Sequence, residues 1–168
     1  KILVSGASAG CSTPVERRRQ GLNFVPEERL GRGAVPSLSL AFNALLTGFE
    51  HGMARWNLLR FGAINEFAAA CISRNDVRCN GVSANASSLS GGNLQKFIIG
   101  RELSLAPRLL VLSQPTWGID VGAAAAIRQR LIDLRDEGLG ILLVSEELDE
   151  LFETADRLQV MYHGHLSA

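Results

Sequence analysis

The sequence predicts an α/β fold built on a mostly parallel sheet. Downstream of residue 92, helix-like and strand-like patterns alternate, the order expected of strands joined by right-handed helical crossovers. The strand-like segments, such as Leu109–Leu112 and Ile141–Val144, are continuous apolar runs, as in strands covered on both faces. With 46% hydrophobic and 20% charged residues over 168 positions, the chain has the composition of a globular core.

Each element has a local reason. Lys1 to Gly10 reads as a short strand and a glycine-rich hairpin turn, and Thr13 to Gln20 as a polar, basic stretch with three successive arginines. Gly21 to Pro26 is a second short strand, stopped by Pro26 and the charged loop Glu27-Glu28-Arg29. Leu38, Ala41, Phe42, Leu45 and Leu46 recur at helical spacing behind a cap near Ser37. A less regular, glycine-containing stretch leads to a helix over Ala63 to Ser73, and Asn80 to Gly92 turns to Asn, Ser, Ala and Gly, a loop. Then follow a helix (Gly92 to Leu105), a strand (Leu109 to Leu112), a helix (Val121 to Glu137), a strand (Ile141 to Val144), a helix (Leu148 to Thr154) and a strand (Leu158 to Tyr162).

Composition excludes several functions. Lys and Arg (17) balance Asp and Glu (17), so no net field draws the chain to nucleic acid or anionic lipid. No apolar run approaches the roughly 20 residues of a membrane helix. Cys11, Cys71 and Cys79 are an odd count without close pairs, read as free thiols. The start lacks the apolar stretch of a signal peptide, so the expected compartment is the cytoplasm. Because residue 1 is Lys and not Met, the chain is expected to be processed, trimmed or incomplete.

In an open parallel sheet, ligands lie beyond the carboxyl ends of the strands, which directs attention to Ser113-Gln114-Pro115-Thr116, Ser145-Glu146 and the loop after Pro26. A separate anion site is expected at Ser90-Gly91-Gly92, where Ser90 is read as the N-cap and the glycines let a ligand approach free amides at a helix start.

Leu89 to Gln95 (Leu-Ser-Gly-Gly-Asn-Leu-Gln), the strand Leu109 to Leu112, and Gln114-Pro115-Thr116-Trp117-Gly118-Ile119-Asp120 together resemble the ATP-binding-cassette (ABC) ATPases of membrane transporters. Leu89 to Gln95 is similar to the family's signature motif, Leu109 to Gln114 to its Walker B strand, and Gly118 to Asp120 to its D-loop. Val144 to Glu150 stands where the family has its switch-histidine loop, and Phe24 to Arg29 resembles the Q-loop region of the second cassette in sugar and nucleoside importers. The resemblance implies a P-loop NTPase-like ABC core with a helical subdomain. The expected parts are 1–29 (hairpin and Q-loop region), 30–105 (helical subdomain with signature) and 106–168 (Walker B, D-loop and switch loop).

The departures from that pattern shape the expected function. Where Walker B ends in Asp and Glu, this chain has Ser113 and Gln114; Glu146 replaces the switch His and Glu27 the Q-loop Gln. A hydroxyl is a weak neutral ligand for a hard cation, and an amide takes up no proton at neutral pH. A carboxylate about 4 Å from a phosphate charge costs roughly 1 kcal/mol in water and more in a drier site. No Walker A motif (Gly-x-x-x-x-Gly-Lys-Ser/Thr) is found: Gly6 to Ser12 is one residue short and lacks Lys. The resemblance therefore implies an N-terminally incomplete, catalytically degenerate cassette. Leu89, Ser90, Gly91, Gly92, Asn93 and Gln95 would complete the ATP site of a partner cassette, with Gly118 and Asp120 in the D-loop. ATP and Mg²⁺ are the implied cofactors, the metal held mainly by the partner. The implied partners are that cassette, transmembrane permease subunits and, indirectly, a substrate-binding protein, at the cytoplasmic face of the plasma (inner) membrane; no metal site of its own and no nucleic-acid partner is expected. The alternatives are a soluble ABC-type ATPase acting on nucleic acid or ribosomes, and a non-functional fragment.

Other features are read as structural. Trp117 is expected to pack on the neighbouring helix, His163 and His165 to be solvated, and Arg17 to Arg19 to be a solvated charge run. Glu147, Asp149 and Glu150 are read as acids favoured at a helix start.

Overall fold

The computed structural model describes residues 2–4, 6–56 and 58–167. Its centre is a three-stranded parallel sheet in the order β3 (Leu22–Val25), β6 (Leu109–Ser113), β7 (Gly140–Val144). The remaining strands are short hairpins: β1 (Leu3–Val4) with β2 (Ala7–Ser8), β4 (Ala54–Arg55) with β5 (Leu58–Leu59), and β8 (Met161–Tyr162) with β9 (His165–Leu166). The helices are α1 (Pro14–Arg19), α2 (Leu40–Gly48), α3 (Phe61–Arg74), α4 (Gly91–Leu103), α5 (Val121–Asp136) and α6 (Leu148–Thr154). The expected glycine-rich hairpin is present, although Ser5 within it lies outside the described residues.

Period-2 geometry decides which strand residues are inside. In register, Asn23 and Leu110 stand beside Ile141, and Val25 and Leu112 beside Leu143, on the face that joins the core. Phe24, Val111 and Leu142 point the other way, and Phe24, Leu142 and Val144 are each about half exposed. The expectation of strands covered on both faces therefore fails: among the described residues the sheet is closed on one face and open on the other. An apolar run shows that a strand could be buried twice, not that it is.

Two boundaries also need correction. The polar stretch around Arg17 is a helix, because Thr13 and Glu16 form a reciprocal capping box (Glu16 N–H to Thr13 Oγ1, 3.3 Å; Thr13 N–H to Glu16 Oε2, 2.7 Å). Pro14 opens the helix, and the arginines close it at the end its dipole favours for cations. At the other end, the strand expected over Leu158 to Tyr162 shrinks to Met161–Tyr162, which folds back on His165–Leu166 as an exposed hairpin around Gly164 (φ +79°). Its alternative, pairing into the central sheet, is not realised among the described residues. His163 and His165 are exposed, as expected.

The core lies between the sheet and α2, α3, α4 and α5. Helix α2 is capped by Ser39, whose Oγ accepts from Phe42 N–H (3.2 Å), two residues beyond the expected cap. Inside it, buried Asn43 accepts from Val35 N–H (2.7 Å) and donates to the carbonyls of Val35 and Leu38, holding the loop before α2. Helix α3 buries Ile64, Ala68 and Cys71, one stripe at helical spacing. Helix α4 is buried along much of its circumference, Leu94, Phe97, Ile98 and Ile99 included, and is the hub of the fold.

The C-terminal turn of α4 carries a buried ionic network that the sequence does not advertise. Glu102 is fully buried and takes Arg18 of α1 (2.6 Å) and Arg101 (2.9 Å). Arg101 also donates to the carbonyls of Asn43 (3.1 Å) and Gly33 (3.0 Å), and Asn23 of β3 donates to the Glu102 carbonyl (2.7 Å). Burial pushes the Arg101 guanidinium down from its ordinary range, and the Glu102 carboxylate pulls it back up. Arg18, expected to be solvated, is thus engaged; Arg19 is exposed, as expected, and pairs at the surface with Glu50, just beyond α2. Of the three arginines, Arg17 pairs with no carboxylate among the described residues and donates instead to the Gly10 carbonyl (3.3 Å).

The cysteines are free thiols, as expected. Cys71 is enclosed in the core and its thiol is pushed up to about 12, chiefly by burial. A thiol with that pKa presents almost no thiolate at pH 8. In the native protein Cys11, which is exposed, is expected to react promptly with a thiol reagent, while Cys71 stays unlabelled until urea unfolds the chain. Prompt labelling of Cys71 in the native state, read by peptide mass spectrometry, would contradict the packing described here.

Candidate functional site

Ser90 enters α4 in an extended conformation (φ −64°, ψ 156°), so the helix begins at Gly91 as the motif requires. The expected side-chain cap is absent. Ser90 Oγ instead accepts from Asn93 Nδ2 (2.9 Å), and no side chain caps the first-turn amides of α4. Uncapped amides at a helix start carry the positive end of the dipole, which favours an anion. Asn93 is fixed in turn by Arg78, whose backbone N–H donates to Asn93 Oδ1 (2.8 Å). Lys96, one turn on, pairs with Asp76 (3.2 Å).

The glycines are there for close approach. A Cβ added to Gly92 would lie 3.2 Å from Ala123 Cβ and 3.4 Å from Asp120 Oδ2, at the start of α5. One added to Gly91 would lie 3.6 Å from the Gly118 carbonyl and 3.8 Å from Arg29 Cζ. Gly91 and Gly92 of the signature segment and the Gly118–Asp120 loop, 26 or more positions apart in sequence, are thus packed against each other. Asp120 caps α5 by accepting from Ala123 N–H (2.9 Å), and Gly118 takes a positive φ (+64°) that suits glycine. Ser90, Gly92, Asn93, Arg78, Lys96 and Asp120 line a small open basin of about 230 Å³.

Not every residue of the motif reaches this basin. Gln95 is buried beneath α4, among the core residues, and its Oε1 has no hydrogen-bond partner among the described residues. Leu89 packs against the core. Trp117, expected on a neighbouring helix, is 59% exposed, because the turn at Gly118 directs it outward.

The second group of expected residues gathers at the carboxyl ends of the strands. Glu27 follows β3, Ser113 ends β6 with Gln114 next after it, and Glu146 follows β7. The backbone N–H of Glu146 donates to Gln114 Oε1 (3.3 Å), and the N–H of Gln114 donates to the Val144 carbonyl (2.8 Å). Gln114 sits in the left-handed region (φ +49°), an uncommon place for a non-glycine residue. At the end of β6 the side chains are the Ser113 hydroxyl and the Gln114 amide, whose oxygen is already engaged by a backbone N–H. Neither is the carboxylate oxygen that a hard divalent cation seeks, and an amide at Gln114 is no base.

Two functional-looking contacts escape a reading of the sequence. Glu150, read in the sequence as one of the acids favoured at a helix start, is 1% exposed and accepts from Thr116 Oγ1 (2.9 Å), tying α6 to the turn after β6. Arg29, seen in the sequence only as part of a charged loop, donates to the Trp117 carbonyl (2.8 Å) beside Gly91. Neither has a local sequence signal, since both depend on pairing across long loops.

No family model matches the chain. In sequence it is 40% identical over 171 residues to a glucose import ATP-binding protein of Haloferax volcanii, covering 99% of this chain and 31% of that protein. It is 43% identical over 154 residues to a nucleoside import ATP-binding protein of Lactococcus lactis, covering 91% and 30%. A ribose import ATP-binding protein of Rubrobacter xylanophilus is 36% identical, with 99% and 34% covered. The chain thus spans about a third of the length of these relatives. In structure it is similar to an ATP-binding cassette solved as a dimer in a post-hydrolysis state with ADP and Pi (TM-score 0.67, 21% identity, 83% of this chain and 58% of that one). It is similar also to a nucleotide-free ATP-binding cassette of an ABC transporter (TM-score 0.70, 23% identity, 92% and 62%). The chain therefore has the ABC ATPase fold and groups in sequence with the ATP-binding components of sugar and nucleoside importers, to about one third of which it is similar.

Proposed function

We propose that this chain is the signature-bearing part of a degenerate second cassette in an importer of a nucleoside or simple sugar. In this reading its first-turn amides at Gly91 and Gly92, with Ser90 and Asn93, bind and orient the terminal phosphate of ATP seated on a partner cassette. The partner supplies the lysine, the magnesium ligands and the base, and ATP supplies the phosphoryl bond whose cleavage drives transport. The observation that carries the proposal is the uncapped start of α4, held open by glycines against the Gly118–Asp120 loop. Positioning and charge stabilisation are most of what phosphoryl transfer asks of a protein, so a chain without acid or base can still contribute.

Membrane engagement would be peripheral. Among the described residues no helix is long and apolar enough to cross a membrane. The helical part nevertheless exposes Phe42, Leu46, Phe49, Leu58 and Phe61, with the Phe42 and Phe61 rings in edge contact at 6.4 Å. An apolar cluster of that kind supports docking of permease subunits on the stretch between Leu30 and Asp76, on the cytoplasmic face.

The test is at Gln114. A true general base contributes on the order of 10²–10⁴ in rate. In the full-length protein with its permease, Gln114→Ala and Gln114→Glu are both expected to leave steady-state ATP turnover within about twofold, since neither removes nor restores a working site. A hundredfold loss in Gln114→Ala would show that this half-site is catalytic and refute the proposal.

A further inference from the structure

We infer that Arg29 is a positioning residue for the phosphate clamp, locking the Gly118–Asp120 loop onto the start of α4; the inference rests on the composite-site reading above. Arg29 comes from the loop after β3, far in sequence from both segments it joins. Its Nη1 donates to the Trp117 carbonyl at 2.8 Å. Its Nη2 lies 3.2 Å from where a Gly118 side chain would begin, and its Cζ and Nη1 lie 3.8 and 3.9 Å from where a Gly91 side chain would begin. The planar guanidinium therefore lies between two glycines, one in each segment: a side chain at Gly118 would press on it, and one at Gly91 would be in van der Waals contact with it.

Its charge is also in an uncommon place. A cation near a helix start opposes the dipole, so Arg29 is there in spite of α4, not because of it. No carboxylate offsets it among the described residues: Glu28 of the same loop pairs with Arg32 (3.2 Å), Asp120 caps α5, and Arg29 bonds a neutral carbonyl.

The loop that carries Arg29 is itself tightly built. The Ala34 N–H donates to the Arg29 carbonyl (2.7 Å) and the Gly33 N–H to the Glu28 carbonyl (2.9 Å), while Arg101 of α4 holds the Gly33 carbonyl. A Cβ on Gly33 would lie 2.8 Å from the Arg29 carbonyl oxygen, closer than real contacts allow. Helix α4 thus fixes the Arg29 loop at its far end, and Arg29 returns to fix the near end of the same helix.

In the full-length protein with its permease, Arg29→Met is expected to lower kcat for ATP about tenfold or more, the loss typical of a charged hydrogen bond. KM for ATP should stay within about twofold, because the nucleotide is held mainly by the partner. Arg29→Lys still donates to the Trp117 carbonyl and is expected to recover most of the activity. An unchanged kcat in Arg29→Met overturns the inference. So does an Arg29→Lys variant as poor as Arg29→Met, or a fall in melting temperature that matches the activity loss in both. A Ser90→Arg control separates the levels: if it is inactive while Arg29→Met is normal, only the role of Arg29 fails, and if it is fully active the composite-site reading fails as well.

Discussion

Ser90→Arg in the full-length importer is expected to abolish transport and lower ATP turnover by at least about a hundredfold, the scale on which a pre-organised phosphate or oxyanion donor acts. The reason is local. The arginine side chain would enter the basin of about 230 Å³ and could pair with Asp120, which also lines it. Its guanidinium would sit where the anion should lie, and the hydroxyl that receives Asn93 Nδ2 would be gone. Ser90→Ala loses only the hydroxyl and leaves the amides open, so a several-fold effect is expected there. Transport assays in vesicles measure both, and a Ser90→Arg protein that transports at the normal rate would remove the basis for the proposed function.

The largest effect on stability is expected at Glu102. Truncation to Ala leaves Arg101, which is 3% exposed, without its carboxylate and facing Arg18. Breaking a buried pair from one side costs about 3–5 kcal/mol, because the remaining charge is left uncompensated. The loss should appear as a lower urea midpoint. Because Arg101 also holds the carbonyls of Asn43 and Gly33, amide exchange should accelerate in α2 and in the loop from Glu28 to Ala34 before the sheet is affected. A Glu102→Ala protein with an unchanged midpoint would mean the network contributes nothing net. A joint replacement of Arg101 and Glu102 by apolar residues should be milder than Glu102→Ala alone, as the desolvation cost leaves with the charges.

Much of the chain is readable locally. Helix α5 shows its face in Ala124, Ile127, Leu131 and Leu134, and Asp120 announces its start, so its limits differ from expectation by a single residue. Helix α6 spans the expected residues, Leu148 to Thr154. The proposed anion site is legible for the same reason: Ser-Gly-Gly before a helix places amides, turn and dipole within a few consecutive residues. Around Arg17 the same kind of local signal, Thr13 with Glu16, was present and is outweighed in a composition-based reading by the run of charge.

What local sequence determined, then, is most of the order of helices and strands from α2 to α6, the helix start at Ser90-Gly91-Gly92, and the neutral side chains Ser113 and Gln114 at the end of β6, since each follows from residues within one turn or one strand; that Ser90 leaves the first amides uncapped was seen only in the structure. Tertiary structure alone decided that Gln95 faces the core, that Glu150 and Glu102 are buried with partners 34 and 84 positions away, and that Arg29 reaches the Trp117 carbonyl. It also decided that, among the described residues, Phe24, Leu142 and Val144 of the sheet are about half exposed. The physical reason is common to all of them: whether a charged or apolar side chain meets water or a partner depends on which distant segment folds against it, and no short-range periodicity records that choice.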